Sequence, residues 1–229
     1  LSGIVFDLRV PDWPKVQSLK RAMNLSRTLQ NICDQLLINS SVFLCNGYQP
    51  LGNALGARHE LIEAGEVLKG KGPYDLQKYA LEVGTDLLLA TKMFQQKWKA
   101  KKFIKDQIIK GKTVHGSKLK NGKWPSRISS NKHQKISSPR KGYIHFLSME
   151  ALHKTKSKFG FSCPGNGINL LKKIGDRTEK GDHLVEIFGS QRKEISQLRT
   201  EIQKAYMIFP KPPDFQPLIL EKSGLRLHL

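Results

Sequence analysis

Gly3-Ile4-Val5-Phe6-Asp7-Leu8-Arg9-Val10, a helix-periodic stretch after it, and then Ser41-Val42-Phe43-Leu44-Cys45 decide the fold of this chain. The first run is apolar and β-branched and is broken by Pro11-Asp12-Trp13-Pro14, so it reads as a strand. From Lys15 the apolar residues Val16, Leu19, Ala22, Met23, Leu29, Ile32, Cys33 and Leu36 recur largely at intervals of three and four, the period of an amphipathic helix. The second run is closed by the turn signal Asn46-Gly47. Strand, helix and strand in this order make a βαβ unit, and parallel neighbours are what such a crossover joins. The chain opens Leu1-Ser2-Gly3 with no initiator Met, and its first strand is expected to belong to a sheet whose earlier strands precede it.

Outward from this unit, Gln49-Pro50-Leu51-Gly52-Asn53-Ala54-Leu55-Gly56 is a Gly-punctuated loop leading into a helix with Glu60, Leu61, Ala64, Val67 and Leu68. Gly70-Lys71-Gly72-Pro73 ends that helix, and Asp75 is placed to cap the next, which carries Leu76, Tyr79, Val83, Leu87 and Met93. Residues 97–112 suit a helix, whereas 111–141 is rich in Gly, Ser, Asn and Lys and reads as a long loop or hairpin. Order returns with a strand at Gly142-Tyr143-Ile144-His145-Phe146. Ile168 to Ile174 and Leu184 to Phe188 are expected to pair as strands, with turns at Gly175-Asp176 and Gly181-Asp182. A helix through Ile195, Leu198, Ile202 and Tyr206 and a closing strand at Pro217 to Leu220 complete the reading. The fold class is α/β: a partial parallel sheet with a βαβ unit, then a small α+β carboxy-terminal domain with a barrel-like β-hairpin core. The expected domains are 1–96, a basic linker at 97–141, and 142–229.

The formal charge of +20 is localised. Lys plus Arg against Asp plus Glu stand at 9 to 9 over residues 1–90, 19 to 2 over 91–160, and 11 to 8 over 161–229. An explanation of the charge must therefore address the middle of the chain. No apolar run has the length to cross a bilayer. Cys33, Cys45 and Cys163 are odd in number and far apart, as expected of buried structural thiols in a reducing compartment. The seven histidines lack zinc spacing, no nucleotide-binding glycine loop occurs, and no biotin- or lipoyl-type lysine turn accompanies the hairpin.

Two blocks resemble the thymidine, pyrimidine-nucleoside and AMP phosphorylase family. The first is Val5-Phe6-Asp7-Leu8-Arg9-Val10 with Lys15-Val16 and then Gly47-Tyr48-Gln49-Pro50-Leu51-Gly52-Asn53-Ala54-Leu55-Gly56, Glu60 and Glu63-Ala64. The second is Lys141-Gly142-Tyr143-Ile144, Gly167-Ile168, and the run from Lys173-Ile174-Gly175-Asp176 to Gly181-Asp182-His183-Leu184. The resemblance implies phosphorolysis of a pyrimidine nucleoside or nucleotide, with phosphate as co-substrate. It covers the carboxy-terminal portion of the family only, and it places the phosphate loop, the base ligands and the helical domain that makes the homodimer upstream of Leu1. No catalytic residue is carried over, and the chain alone is expected to be inactive. One site is carried over: Leu51 and Ala54 through their carbonyls and Glu63 through its carboxylate imply a monovalent cation, potassium, a large ion suited to carbonyl dipoles. Pro11-Asp12-Trp13-Pro14 departs from the family's Gly-rich turn and removes backbone freedom there.

A second reading is a non-catalytic relative that binds RNA or a ribosome. Lys97, Trp98, Lys101, Lys102, Lys118, Lys120, Lys123, Trp124, Arg127, Lys132, Lys135, Arg140 and Lys141 carry it, since aromatic faces among basic residues are what single-stranded bases stack on. A solvated loop kept soluble by its lysines is the plainer reading of the same segment. The phosphorylase reading implies the cytoplasm, and the ribosomal one a mitochondrial setting as well.

Overall fold

The computed structural model describes residues 1–11, 16, 18–109, 132–158, 165–189 and 192–227. The break at Asp12-Trp13-Pro14, the candidate residues Lys118, Lys120, Lys123, Trp124 and Arg127, and Cys163 lie outside the described residues. The chain divides into two compact units, one of residues 1–47, 74–113 and 216–229, the other of 48–73 and 114–215.

In the first unit, β1 (Gly3–Val10) and β2 (Asn39–Asn46) pair in parallel along all eight residues, from Gly3 opposite Asn39 to Val10 opposite Asn46. Helix α1 (Leu19–Gln35) is the crossover, opened by Ser18, whose hydroxyl accepts the Arg21 N–H. Alternation along the strands sends Phe6, Leu8, Val10, Val42 and Leu44 into one core with Ala22, Met23 and Leu25. The expected βαβ unit is therefore present, and the closing strand falls at β10 (Ile219–Lys222), antiparallel to β2. The sheet order is β1-β2-β10. Helix α3 (Tyr74–Ala90) packs on β1 and β2, and α4 (Lys97–Ile109) packs on α3. Helix α3 begins one residue before the expected cap, so Asp75 sits in its first turn, where a carboxylate favours the helix dipole.

The second unit holds β3 (Ala54–Leu55), α2 (Ala57–Val67), β4 (Lys132–Ser137), β5 (Gly142–Leu147), α5 (Met149–Lys158), β6 (Gly167–Leu170), β7 (Arg177–Thr178), β8 (His183–Gly189), α6 (Arg192–Ala205) and β9 (Tyr206–Phe209). Its strands form two antiparallel sheets, ordered β3-β6-β8-β4 and β7-β5-β9. The Lys-rich stretch read as loop or hairpin thus contributes β4, paired with β8 from His133 opposite Phe188 to Ile136 opposite Val185. Among the described side chains of β4 only Ile136 is fully buried, which is why composition alone concealed the strand. Ile136, Ile144, Leu147, Ile168, Leu184, Ile187, Leu198 and Ile202 form the core between the sheets and α6.

Two turns shape the hairpins. Gly175 and Gly181 both sit at φ +95°, a conformation that costs glycine little. In each, the following aspartate accepts the N–H three residues earlier: Asp176 from Lys173 (2.7 Å) and Asp182 from Glu179 (3.0 Å). The two turns are one device used twice.

On the α3 side of the first unit, Asp86 is 1% exposed and its Oδ1 lies 2.6 Å from the Lys222 ammonium, which also stands 4.9 Å from the centre of the Phe43 ring. Removing one partner of such a pair strands a buried charge. Lys222→Met is expected to destabilise the chain by about 3 kcal/mol, read as a fall in the urea midpoint with an unchanged slope.

Candidate functional site

The loop before α2 is held by charge on both sides. Glu63, one and a half turns into α2, points back at the loop, where its Oε1 accepts the Asn53 N–H (2.9 Å) and its Oε2 the Ala54 N–H (3.3 Å). Glu60 accepts the Gly56 N–H (3.0 Å) at the start of the same helix. On the other side, the Lys173 ammonium donates to the carbonyls of Pro50 (2.8 Å) and Gly52 (2.9 Å), and Gln49 Oε1 accepts the Ile174 N–H (2.9 Å). Amides meet a carboxylate and carbonyls meet an ammonium, so both ends of the peptide dipoles are matched.

Of the three cation candidates, Glu63 faces the loop, and Leu51 lies between the two carbonyls that Lys173 takes. Ala54 is in β3, where it pairs with Asn169. Carboxylate and carbonyl oxygens are the donor types a monovalent ion takes; here Glu63 already accepts two amides, and Lys173 takes the carbonyls on either side of Leu51. Lys173 stands in the second block of resemblance, which implies no role for it. Its signal was position alone, three residues ahead of the aspartate that shapes the turn.

A cleft of about 480 Å³ opens beside this loop, lined by Asn53, His59, Glu63, Glu66, Asn169 and Leu171 among others. His59 is buried, its ring 4.8 Å from that of Phe188 and its Nδ1 3.4 Å from Asn169 Oδ1. Burial lowers its pKa below the ordinary 6.5, against the opposing pull of hydrogen bonds from Asn169 and Gly165.

The parallel sheet carries a polar cluster on the face turned away from α1. Asp7 Oδ2 accepts from Arg9 Nε (3.0 Å), and the Arg9 guanidinium stands 4.9 Å from the Tyr79 ring centre. Burial first, and then the Asp7 carboxylate, push the Cys45 thiol up to about 12 and raise Tyr79 as well. Raised in this way, neither the Cys45 thiol nor the Tyr79 hydroxyl is primed as a nucleophile. Cys33 and Cys45 are buried and unpaired with each other, as expected of structural thiols.

The basic candidates fall in both units. Lys97, Trp98, Lys101 and Lys102 lie on α4, Lys132 and Lys135 on β4, and Arg140 and Lys141 in the turn before β5. Trp98 is 62% exposed, with the Lys99 ammonium 5.4 Å from its ring centre. Lys101 is instead committed to Glu82 (2.6 Å): burial works against ionisation of that carboxyl, but the ammonium outweighs it and lowers the pKa. Among the described residues no helix is long and apolar enough to cross a membrane.

No protein-family model matches the chain. Curated proteins do. The chain is 26% identical to the pyrimidine-nucleoside phosphorylase of Staphylococcus epidermidis strain ATCC 12228 over 227 residues, covering 91% of this chain and 52% of that protein. It is 25% identical to the pyrimidine-nucleoside phosphorylase of Staphylococcus aureus strain USA300 over 224 residues, covering 90% and 52%. The chain thus spans about half the length of the curated relatives it matches, and the similarity extends over nine-tenths of this chain, beyond the two blocks that carry the resemblance in its sequence.

Two outcomes follow from this geometry. Glu63→Gln keeps the shape but sets an NH2 group against an amide donor, and is expected to cost about 2 kcal/mol of stability, since charge-assisted hydrogen bonds are worth about that; a urea melt reads it. His59, neutral in the fold, has a folded pKa below its unfolded one, so its contribution is present above pH 6.5 and is lost as pH falls below that value. The thermal midpoint should therefore drop between pH 7 and 5, and His59→Asn should flatten that drop.

Proposed function

We propose that this chain is part of a phosphorylase that cleaves a pyrimidine nucleoside or nucleotide with inorganic phosphate. The similarity of nine-tenths of the chain to pyrimidine-nucleoside phosphorylases carries the reading. In that reaction a phosphate oxygen bonds to the anomeric carbon as the glycosidic C–N bond breaks, and the base leaves with the bonding electrons. Groups that stabilise the positive sugar centre between phosphate and base do the catalysis. The titratable groups described above are structural, so this chain contributes scaffold: a parallel βαβ sheet and the tied loop beside it. Homodimerisation would rest on the part of the relatives that this chain does not match.

The protein that contains this chain, purified from its source, is expected to release free base from uridine or thymidine only when phosphate is added, with pentose 1-phosphate as the other product. The 229-residue chain alone is expected to release none. Phosphorolysis by the chain alone would overturn the scaffold role, and its absence in the whole protein would overturn the phosphorylase reading.

The monovalent cation belongs to the same proposal. Leu51, Ala54 and Glu63 would hold it beside the Lys173 ammonium, adding a second positive charge to a loop that already has one. At equal ionic strength the melting midpoint should be higher in potassium chloride than in choline chloride, with the difference lost in Glu63→Gln. A midpoint indifferent to the ion would remove potassium from the account.

The second reading, an RNA-binding relative, is favoured by α4, where exposed Trp98 is flanked by exposed Lys97, Lys99 and Lys102. Lys102→Gln should weaken RNA binding and lower its salt slope by about 1.

A further inference from the structure

The outer face of the β7-β5-β9 sheet carries large apolar side chains that the core does not use. Phe146 is 38% exposed, Met207 51% and Phe209 50%. Strand register sets them in two rows. Arg177, Tyr143 and Phe209 lie across from one another in the first, and Phe146 lies across from Met207 in the second. A bulge between Ile144 and Phe146 makes this possible: it admits His145 as an extra residue, so that Ile144 and Ile208 face inward while the residues on either side face out. The His145 ring meets Phe209 edge-on at 4.9 Å, and its Nε2 hydrogen-bonds the Lys211 carbonyl, which fixes the ring that fixes Phe209.

We infer that this face binds single-stranded polynucleotide, two successive bases resting on Tyr143–Phe209 and on Phe146–Met207. The rows stand about 7 Å apart, two residues along a strand, a spacing that a splayed single strand reaches while a stacked duplex does not. Single-stranded bases are read by stacking on aromatic rings held on a sheet. The composition of the unit suits a polyanion. Over residues 48–73 and 114–215, Lys and Arg number 23 against 11 Asp and Glu. At the sheet edge, Glu179 is shared between Arg177 (2.9 Å) and Lys141 (3.6 Å), leaving the three groups net positive. A cleft of about 470 Å³ beside β9 is lined by Arg140, Gln203 and Phe209, giving donors for phosphate or a base edge next to the platform. An apolar protein partner would cover the rings and leave these cations unopposed. The site belongs to the second unit and α4 to the first, and it stands whether or not the whole protein is a phosphorylase.

The test is fluorescence anisotropy of a labelled twelve-nucleotide oligouridylate with the full chain at about 50 mM salt, where phosphate contacts are strong. The chain should bind it, and an unlabelled duplex of equal length should compete poorly. Phe146→Leu with Phe209→Leu, which keeps bulk and removes the rings, should weaken binding about tenfold or more while leaving the slope against salt unchanged. Phe209→Tyr retains a ring and should bind as the parent does, even if the double variant proves less stable. Equal affinity in parent and double variant would overturn the proposal, since binding would then rest on the basic segment alone. So would no binding by the parent, or a dimer in sedimentation that the double variant abolishes.

Discussion

The first unit depends on strand β2. It is hydrogen-bonded on both edges, parallel to β1 and antiparallel to β10, and all eight of its residues are buried. A strand in that position must satisfy its backbone within the sheet, because no water reaches it. The parallel partner forces a helical crossover, and α1 supplies it; α3 covers both strands as well. Asn39, at the start of β2, donates to the Ala90 carbonyl at the end of α3 (2.7 Å), whereas the hydroxyls of Ser40 and Ser41 are buried without a hydrogen-bond partner. The ion pair between half-buried Lys222 and buried Asp86 then joins the last strand to the helix.

In the second unit the comparable constraint is electrostatic. A loop of eight residues with two glycines would cost conformational entropy to hold in one shape. The Glu63 carboxylate gathers its amides and the Lys173 ammonium gathers its carbonyls, from a helix and a hairpin that are themselves fixed. The turn that carries Lys173 is closed by Asp176, so the order of the loop is inherited from the hairpin.

How legible this was depended on whether a feature obeys a period. Helix α1 did, and so did α6, whose buried Ile195, Leu198 and Ile202 mark the spacing of three and four; strands β1 and β2 were legible instead as apolar runs ended by turn residues. The tight turns were legible from Gly-Asp pairs. Strand β4 was not, because one buried isoleucine among lysine, histidine and glutamine makes no pattern. The partners of the loop were hidden for another reason: Glu63 to Ala54 is a local contact, but Lys173 to Pro50 spans 123 positions and only the fold brings them together. Glu63 itself was reached through resemblance, which carries three-dimensional information that spacing lacks.

Net charge illustrates the same limit from the other side. The count of lysines located the excess in the middle of the chain, but a count treats every lysine alike. The fold distinguishes them: Lys101 is spent on Glu82, Lys141 shares Glu179, and Lys97, Lys99 and Lys102 remain exposed around Trp98. A uniform cationic field attracts any polyanion and selects none. Selection needs groups with shape, and in the second unit those are the rings of Tyr143, Phe146 and Phe209. Tyr143 and Phe146 fall in a run expected as a strand, whereas Phe209 lies in β9, where the sequence suggests only the end of a helix. The bulge at His145 decides which residues share the outer face, and a bulge leaves no mark on composition.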